Sequence, residues 1–173
     1  MIHGLQPGDV LAVRTRARWG WLIRLGAALA GKPDLQDHVA IVHHWDANGT
    51  LWVIEGRPGG VAWQDGKDYL ASPWTISNVE QVKADAQREV ICDGARAMVG
   101  MRYDWEAIAG DGLDDLHLWD PVNGTVHGEV VCSSLAVFLY DKAALPRPAG
   151  GERKIQPADW TTWILTRGWA GTG

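Results

Sequence analysis

A short turn between two β-branched segments constrains the fold of this chain most strongly. The first segment, His38 to Trp45, reads HVAIVHHW, and the second, Thr50 to Glu55, reads TLWVIE. Between them lies Asp46-Ala47-Asn48-Gly49, and Asn-Gly between two such runs is a strong hairpin signal. The sequence therefore predicts an antiparallel pair of strands here.

The other predicted elements surround this hairpin. Strands are predicted at Gly8 to Arg14, Val61 to Gln64 and Trp74 to Val82, and helices at Trp19 to Ala30, Ala84 to Val99, Glu129 to Leu145 and Ala158 to Thr166, with one helical turn at Lys67 to Ala71. Antiparallel strands with separate helices predict an α+β fold in which the helices pack on the sheet. Because no repeat or linker divides the 173 residues, one domain is expected over 1–173.

Charge, cysteine content and hydropathy narrow the function classes. A formal net charge of -5 argues against a nucleic-acid partner. Two cysteines are too few for a disulfide scaffold, which favours free thiols. The apolar segment Trp19 to Ala30 is interrupted by Arg24 and is too short to span a bilayer, and no signal peptide is visible. A cytoplasmic or virion-associated protein is expected, with another route of delivery if its substrate lies in the cell wall.

Cys132 is the first candidate for chemistry. It lies near the start of a predicted helix, where free backbone N–H groups and the positive end of the helix dipole favour a thiolate. A cysteine between Val131 and Leu135 is also a common kind of core residue, so its position alone leaves both interpretations open. Cys92 lies in the middle of a predicted helix and is interpreted as structural.

His38 and Glu55 lie at the far ends of the predicted hairpin. Opposed residues of an antiparallel pair have a constant sum of positions, and a four-residue loop makes that sum odd, as it is for His38 and Glu55. They would share one face as diagonal neighbours, with Cα atoms about 7–8 Å apart. Glu55 would then fix the imidazole tautomer, although a strand-end carboxylate is also commonly exposed. His43 and His44, next to the turn, are expected to be exposed.

Metal binding would be another use of the histidines and cysteines. The potential ligands are His38, His43, His44, His117, His127, Cys92 and Cys132. None has paired zinc-ligand spacing, and the acidic cluster from Asp111 to Asp115 does not have calcium-loop spacing. Neither a metal nor another cofactor is therefore expected. The aperiodic stretch Gly110 to Gly128 is expected to form a flap or rim of the cleft.

Short motifs in a fixed order carry a family resemblance. They read Pro7-Gly8-Asp9-Val10-Leu11, Asp37-His38-Val39-Ala40-Ile41-Val42, Val53-Ile54-Glu55-Gly56, Gly100-Met101-Arg102-Tyr103-Asp104, Val131-Cys132-Ser133-Ser134-Leu135 and Pro157-Ala158-Asp159-Trp160. In this order the chain resembles the circularly permuted branch of the NlpC-type papain-like enzymes, which includes YiiX-like proteins and, more distantly, lecithin–retinol acyltransferase. The histidine precedes the cysteine, as the permuted branch requires.

The resemblance implies a permuted papain-like fold with Cys132 as nucleophile, His38 as base and Glu55 as orienting group. Tyr103 matches a tyrosine near the active site of the branch and would be an oxyanion or substrate contact. The implied substrate is an amide of bacterial cell-wall peptides. Val131 stands where an aromatic residue is common and Ser134 where glutamate is common, so the neighbourhood of the nucleophile departs from the pattern.

Two alternatives stay open. A lipid N-acyl or ester hydrolase, or an acyltransferase, would share the fold, and Trp19 to Ala30 would then border a lipid-binding cleft. A non-catalytic binding or structural protein would keep the fold without turnover. The sequence leaves the oligomeric state undetermined.

Overall fold

The computed structural model describes residues 4–15, 20, 24–25, 28, 36–79, 81–103, 129–130, 132–150 and 155–167. The strands of this part of the chain are β1 (Val10–Val13), β2 (His38–Trp45), β3 (Leu51–Arg57), β4 (Gly60–Asp65), β5 (Ile76–Ser77), β6 (Arg102–Tyr103) and β7 (Glu129–Val130). Its helices are α1 (Lys67–Leu70), α2 (Asp85–Ala97), α3 (Cys132–Lys142) and α4 (Pro157–Thr166).

The central feature is a five-stranded sheet in the order β4-β3-β2-β1-β5. Every described pairing in it is antiparallel. A separate pair, β6 and β7, is parallel. The predicted α+β class is therefore confirmed.

Both faces of the sheet are buried, as strand β1 illustrates. Its four residues are all buried, so its side chains meet apolar partners on either side. Val10 and Ala12 belong to the larger core, which the sheet shares with α2, α3 and α4. Leu11 and Val13 belong to a smaller core on the other face, which includes Tyr69 of α1. Groups between these layers are shielded from water.

The pairing of β2 with β3 changes register part-way along. Next to the turn, Trp45 pairs with Leu51, but further along the strand Val42 pairs with Val53. The sum of paired positions thus changes from even to odd, because an extra residue, His43, is accommodated as a β-bulge. Such a shift exchanges the faces that later side chains occupy.

This bulge determines where His38 and Glu55 lie. If the register at the turn continued, His38 and Glu55 would lie on opposite faces of the sheet. The shifted register, continued along the strands, instead sets Glu55 opposite Ala40 and diagonal to His38. The four-residue loop assumed from the sequence predicted the right parity. In the structure the same parity arises from a turn of residues 46–50 combined with the bulge at His43.

Three sequence predictions need correction. The helix expected from Glu129 starts at Cys132, because Glu129 and Val130 pair with β6 instead. The apolar character of this helix also predicts that Leu135 and Phe138 are both buried against the sheet. Leu135 does lie on the core side of α3, but Phe138 is 41% exposed.

The third correction concerns the strand expected from Trp74 to Val82. It shrinks to the two residues of β5, which pair with Leu11 and Ala12 of β1.

Of Trp19 to Ala30 only Gly20, Arg24, Leu25 and Ala28 are described, all of them helical, and Gly110 to Gly128 lies outside the described residues. No helix in the described part of the chain has the length and apolar character needed to cross a membrane.

A buried polar network ties β1 to α3. The Val10 backbone N–H donates to the Asn78 side-chain oxygen at 2.7 Å, and the Asn78 amide donates to the Tyr140 hydroxyl at 2.7 Å. Tyr140 in turn donates to the Gly8 carbonyl at 3.0 Å. Asn78 is fully buried, so its removal would leave the Val10 N–H without its acceptor and without water, and would remove one donor to the Tyr140 hydroxyl.

We expect Asn78→Ala to lower the free energy of unfolding by about 1–3 kcal/mol, the cost of a buried donor left unsatisfied. Urea denaturation measures this change. Asn48→Ala, in the exposed turn after β2, is the matched control and should change stability by no more than about 0.5 kcal/mol. Equal effects of the two substitutions would contradict the role given to Asn78.

Candidate active site

His38 and Glu55 meet between strands β2 and β3. His38 Nε2 donates to Glu55 Oε2 at 2.8 Å, and both side chains are 0% exposed. The diagonal placement set by the bulge brings the two side chains within reach. Because Nε2 carries the proton of this hydrogen bond, Nδ1 is the ring nitrogen that faces away from Glu55.

Cys132 completes the group from a different element. Its thiol lies close enough to the His38 side chain for each group to shift the pKa of the other. Since Nε2 is engaged with Glu55, Nδ1 is the ring nitrogen available to the sulfur. The fold thus brings together the three residues predicted from the sequence, in the order sulfur, imidazole, carboxylate.

The start of α3 and the parting of β2 from β3 place the sulfur. Cys132 is the first residue of α3, and its sulfur accepts backbone N–H groups from Ser133 and Val39. The described β2–β3 ladder ends at the pair Ile41 and Ile54, two residues before Val39 is reached. Val39 therefore offers its N–H to the sulfur beyond the end of that ladder. Both donors stabilise a thiolate.

The charges of this group support one another. Burial alone would lower the pKa of His38, but the negative charges of Cys132 and Glu55 and the hydrogen bonds to both raise it to about 9. Burial would raise the pKa of Cys132, yet the His38 charge and the hydrogen bonds at the sulfur hold it below its usual value. The opposed shifts favour a thiolate–imidazolium pair at neutral pH.

Two further residues hold Glu55, and neither was predicted from the sequence. The Tyr69 hydroxyl donates to Glu55 Oε2 at 2.7 Å, and Arg57 forms an ion pair with Oε1. Burial would raise the pKa of Glu55, but His38, Arg57 and Tyr69 together hold it below its usual value. Arg57 follows Glu55 by two positions on β3, so strand alternation was a usable signal for it. Tyr69 carried no local signal, because α1 reaches Glu55 only through the fold.

Tyr103 is placed by its backbone. It pairs with Val130 in the parallel β6–β7 ladder, two positions before Cys132 in the chain. The segment before β6 is attached to the sheet, since the Val61 N–H donates to the Met101 carbonyl at 2.9 Å. A Cβ on Gly60 would lie 2.5 Å from that carbonyl, so glycine permits the approach. The role of Tyr103 as an oxyanion or substrate contact stays a prediction.

Cys92 differs from Cys132 in its surroundings. Its thiol lies 3.9 Å from the carbonyl oxygens of Val42 and His43, to which it donates. Burial raises the pKa of Cys92 to about 11, with a further contribution from Asp93. It is therefore protonated at neutral pH, which fits the structural interpretation.

The exposure expected for His43 and His44 was wrong, because both are half-buried. Their Nδ1 atoms lie 3.0 Å apart, and both rings pack edge-on against Trp63 at centroid distances of 4.6 and 5.7 Å. Burial, followed by the nearby His44, lowers the pKa of His43. No group of three or more His, Cys, Asp or Glu side chains that could hold a metal ion is found among the described residues.

A cavity of about 450 Å³ opens on the Glu55 side of the group. Arg57 and Tyr69 line it, together with Arg14, Thr15, Gln64, Asp65, Asp68, Ala71, Ser72, Pro73 and Trp74. Because neither Cys132 nor His38 lines it, this cavity gives no direct path to the sulfur.

Comparison with protein-family models and with curated proteins finds no match to this chain. The interpretation of the site therefore rests on its own geometry and on the motifs of the sequence.

We expect iodoacetamide at pH 7 to modify Cys132 before Cys92. The lowered pKa of Cys132 keeps its thiolate populated until the pH falls through that value, whereas Cys92 forms a thiolate only near pH 11. The preference should therefore shrink as the pH rises toward 11. Peptide mass spectrometry of the labelled protein measures it, and preferential labelling of Cys92 at pH 7 would contradict the assignment.

Proposed function

We propose that this chain is a cysteine-dependent hydrolase with Cys132 as nucleophile, His38 as proton carrier and Glu55 as orienting carboxylate. The observation that carries the proposal is the buried series of contacts from the Cys132 sulfur through His38 to Glu55. A nucleophile, a base within hydrogen-bond reach and a third group that orients the base are the requirements of covalent acyl transfer.

The chemistry follows from the proton positions. The Cys132 thiolate attacks the carbonyl carbon of the substrate, and as the C–N bond breaks the His38 imidazolium gives its proton to the leaving amine. This leaves a thioester on Cys132 and a neutral imidazole. His38 then takes a proton from water, which attacks the thioester carbonyl, and the thiolate departs as the acid is released.

A buried ion pair favours this function over a purely structural role. Removing a thiolate, an imidazolium and a carboxylate from water costs several kcal/mol for each ion before their attraction is counted. Apolar side chains of the same size would pack at this position without that cost. Shifts in pKa caused by burial and by specific charged partners, such as those of His38 and Cys132, cluster at reactive sites.

The substrate class comes from the resemblance of the motifs to the permuted NlpC-type branch. On that basis we propose a permuted papain-like fold and an amide bond of a bacterial cell-wall peptide as substrate. The order of the chain supports the permutation, because His38 and Glu55 on the hairpin precede Cys132 on its helix. The backbone of Tyr103 beside Val130 keeps it a candidate substrate contact.

A lipid acyl group is the second candidate substrate. The observation that favours it is the ion pair between Arg24, which belongs to the apolar segment Trp19 to Ala30, and Asp37, the residue before His38. This contact attaches the apolar segment beside the strand that carries the proposed base, where an acyl chain would have an apolar neighbour.

Mass spectrometry after incubation with peptidoglycan fragments and, separately, with N-acyl lipids tests the function. Release of a stem peptide supports the cell-wall amidase, and release of an acyl chain supports the lipid enzyme. The Cys132→Ala protein is the control and should release neither. No product from either substrate with the natural chain would contradict the hydrolase proposal and favour a binding role.

Substitutions in the proposed triad should differ in a graded way. We expect His38→Ala to lower turnover by about 10²–10⁴-fold, the range for loss of a general base. Glu55→Gln should cost less, because it disturbs orientation and not the proton transfer itself. His44→Ala is the matched control on the same strand, since His44 pairs regularly with Trp52, and it should stay close to the natural rate. Full activity of the His38→Ala protein would contradict the proposed roles.

A further inference from the structure

Glu55 is the most heavily contacted charge in the group, and its contacts come from three elements. Oε2 accepts one hydrogen bond from His38 on β2, at 2.8 Å, and another from the Tyr69 hydroxyl on α1, at 2.7 Å. Oε1 is paired with Arg57, on β3 itself. Arg57 also donates to the Tyr69 oxygen, so the two residues hold each other as well as the carboxylate.

The charges along this path alternate in sign. A Cys132 thiolate, a His38 imidazolium and a Glu55 carboxylate together leave one net negative charge in a buried site. The Arg57 guanidinium is the fourth charge and makes the series neutral. An uncompensated charge in such surroundings is costly, so the guanidinium stabilises the whole ionised series.

Arg57 and Tyr69 also separate Glu55 from water. Both line the cavity of about 450 Å³, whereas Glu55 is 0% exposed. Burial raises the pKa of Tyr69, so its hydroxyl stays protonated and serves as a donor. Without these side chains, the cavity would extend toward the carboxylate.

We propose that Arg57 and Tyr69 are positioning residues that keep Glu55 ionised and oriented, and thereby maintain the reactive thiolate of Cys132. The inference rests on the proposed function, since it assigns both residues to the same nucleophile–base pair. Neither residue touches the sulfur, so both act through Glu55 and His38. The titratable and charged groups along this path include Cys132, His38, Glu55, Tyr69 and Arg57, and the cavity beyond Arg57 and Tyr69 is also lined by Arg14, Asp65 and Asp68.

Loss of either contact should make the thiolate less favourable. Without Arg57, the pKa of Glu55 rises because its counter-charge is gone. If Glu55 then becomes neutral, it stabilises the His38 imidazolium less. If Glu55 stays ionised, the thiolate lies in a site with a net negative charge. Both routes move the pKa of Cys132 upward. Tyr69→Phe acts in the same direction by removing a donor to Oε2.

The test is the pH profile of iodoacetamide labelling at Cys132, followed by peptide mass spectrometry from acid to alkaline pH. We expect Arg57→Gln and Tyr69→Phe to move the acid side of the profile to higher pH. Labelling below neutral pH should slow roughly 2- to 10-fold, the effect of losing one hydrogen bond of ordinary net strength. Arg57→Lys keeps the charge and should recover part of the loss.

Matched controls separate positioning from general destabilisation. Tyr140→Phe removes another buried hydroxyl, one that donates to the Gly8 carbonyl, and should lower stability without moving the profile. Arg96→Gln removes an exposed guanidinium on α2 that pairs with Asp93, and should change neither. Circular dichroism establishes that each variant is folded, and Tyr69→Phe decides the matter if Arg57→Gln does not fold.

The outcomes for this inference and for the proposed function are distinct. In one outcome, Cys132 of the natural protein is labelled below neutral pH, and the folded Arg57→Gln and Tyr69→Phe proteins give the same pH profile. This outcome overturns the inference alone. In the other outcome, the pH dependence of Cys132 labelling in the natural protein is that of an ordinary thiol. This outcome overturns the proposed nucleophile–base pair as well. Labelling requires no substrate, so an incorrect substrate class would leave this experiment unaffected.

Discussion

The hydrogen bond between His38 and Glu55 is the interaction on which the rest of the site depends. It joins two strands at a point where neither side chain meets water, at 2.8 Å and with 0% exposure of both groups. In such a medium an ion pair is stable only when each remaining charge and donor finds a partner. The neighbouring elements supply those partners: Cys132 from α3 on one side, and Arg57 and Tyr69 on the other.

Burial of the sheet on both faces makes these interactions effective. Screening by water would weaken attraction between exposed groups, whereas the same charges between two packed layers act strongly on each other. This explains why the pKa of His38 rises to about 9 although burial alone would lower it. The apolar core and the charged group are thus parts of one arrangement, since the core excludes the water that would separate the charges.

Much of the fold could be predicted from local sequence. Strand β2 has the predicted bounds, His38 to Trp45, because a β-branched run followed by Asn-Gly specifies a strand and a turn locally. The helix Asp85–Ala97 lies within the predicted span because its apolar residues recur with helical spacing. Longer-range pairing was not predictable: Glu129 and Val130 join β6 and not the helix, since a partner strand is available to them only in the fold.

The sequence by itself determined the residues able to react, their order along the chain and the α+β class, because these follow from residue chemistry and periodicity. Only the tertiary structure decided the contacts. The bulge at His43 sets the parity that brings His38 to Glu55, and α1 brings Tyr69 to the same carboxylate. Such contacts depend on strand register and chain packing, which are properties of many residues at once and leave no mark in a short stretch of sequence.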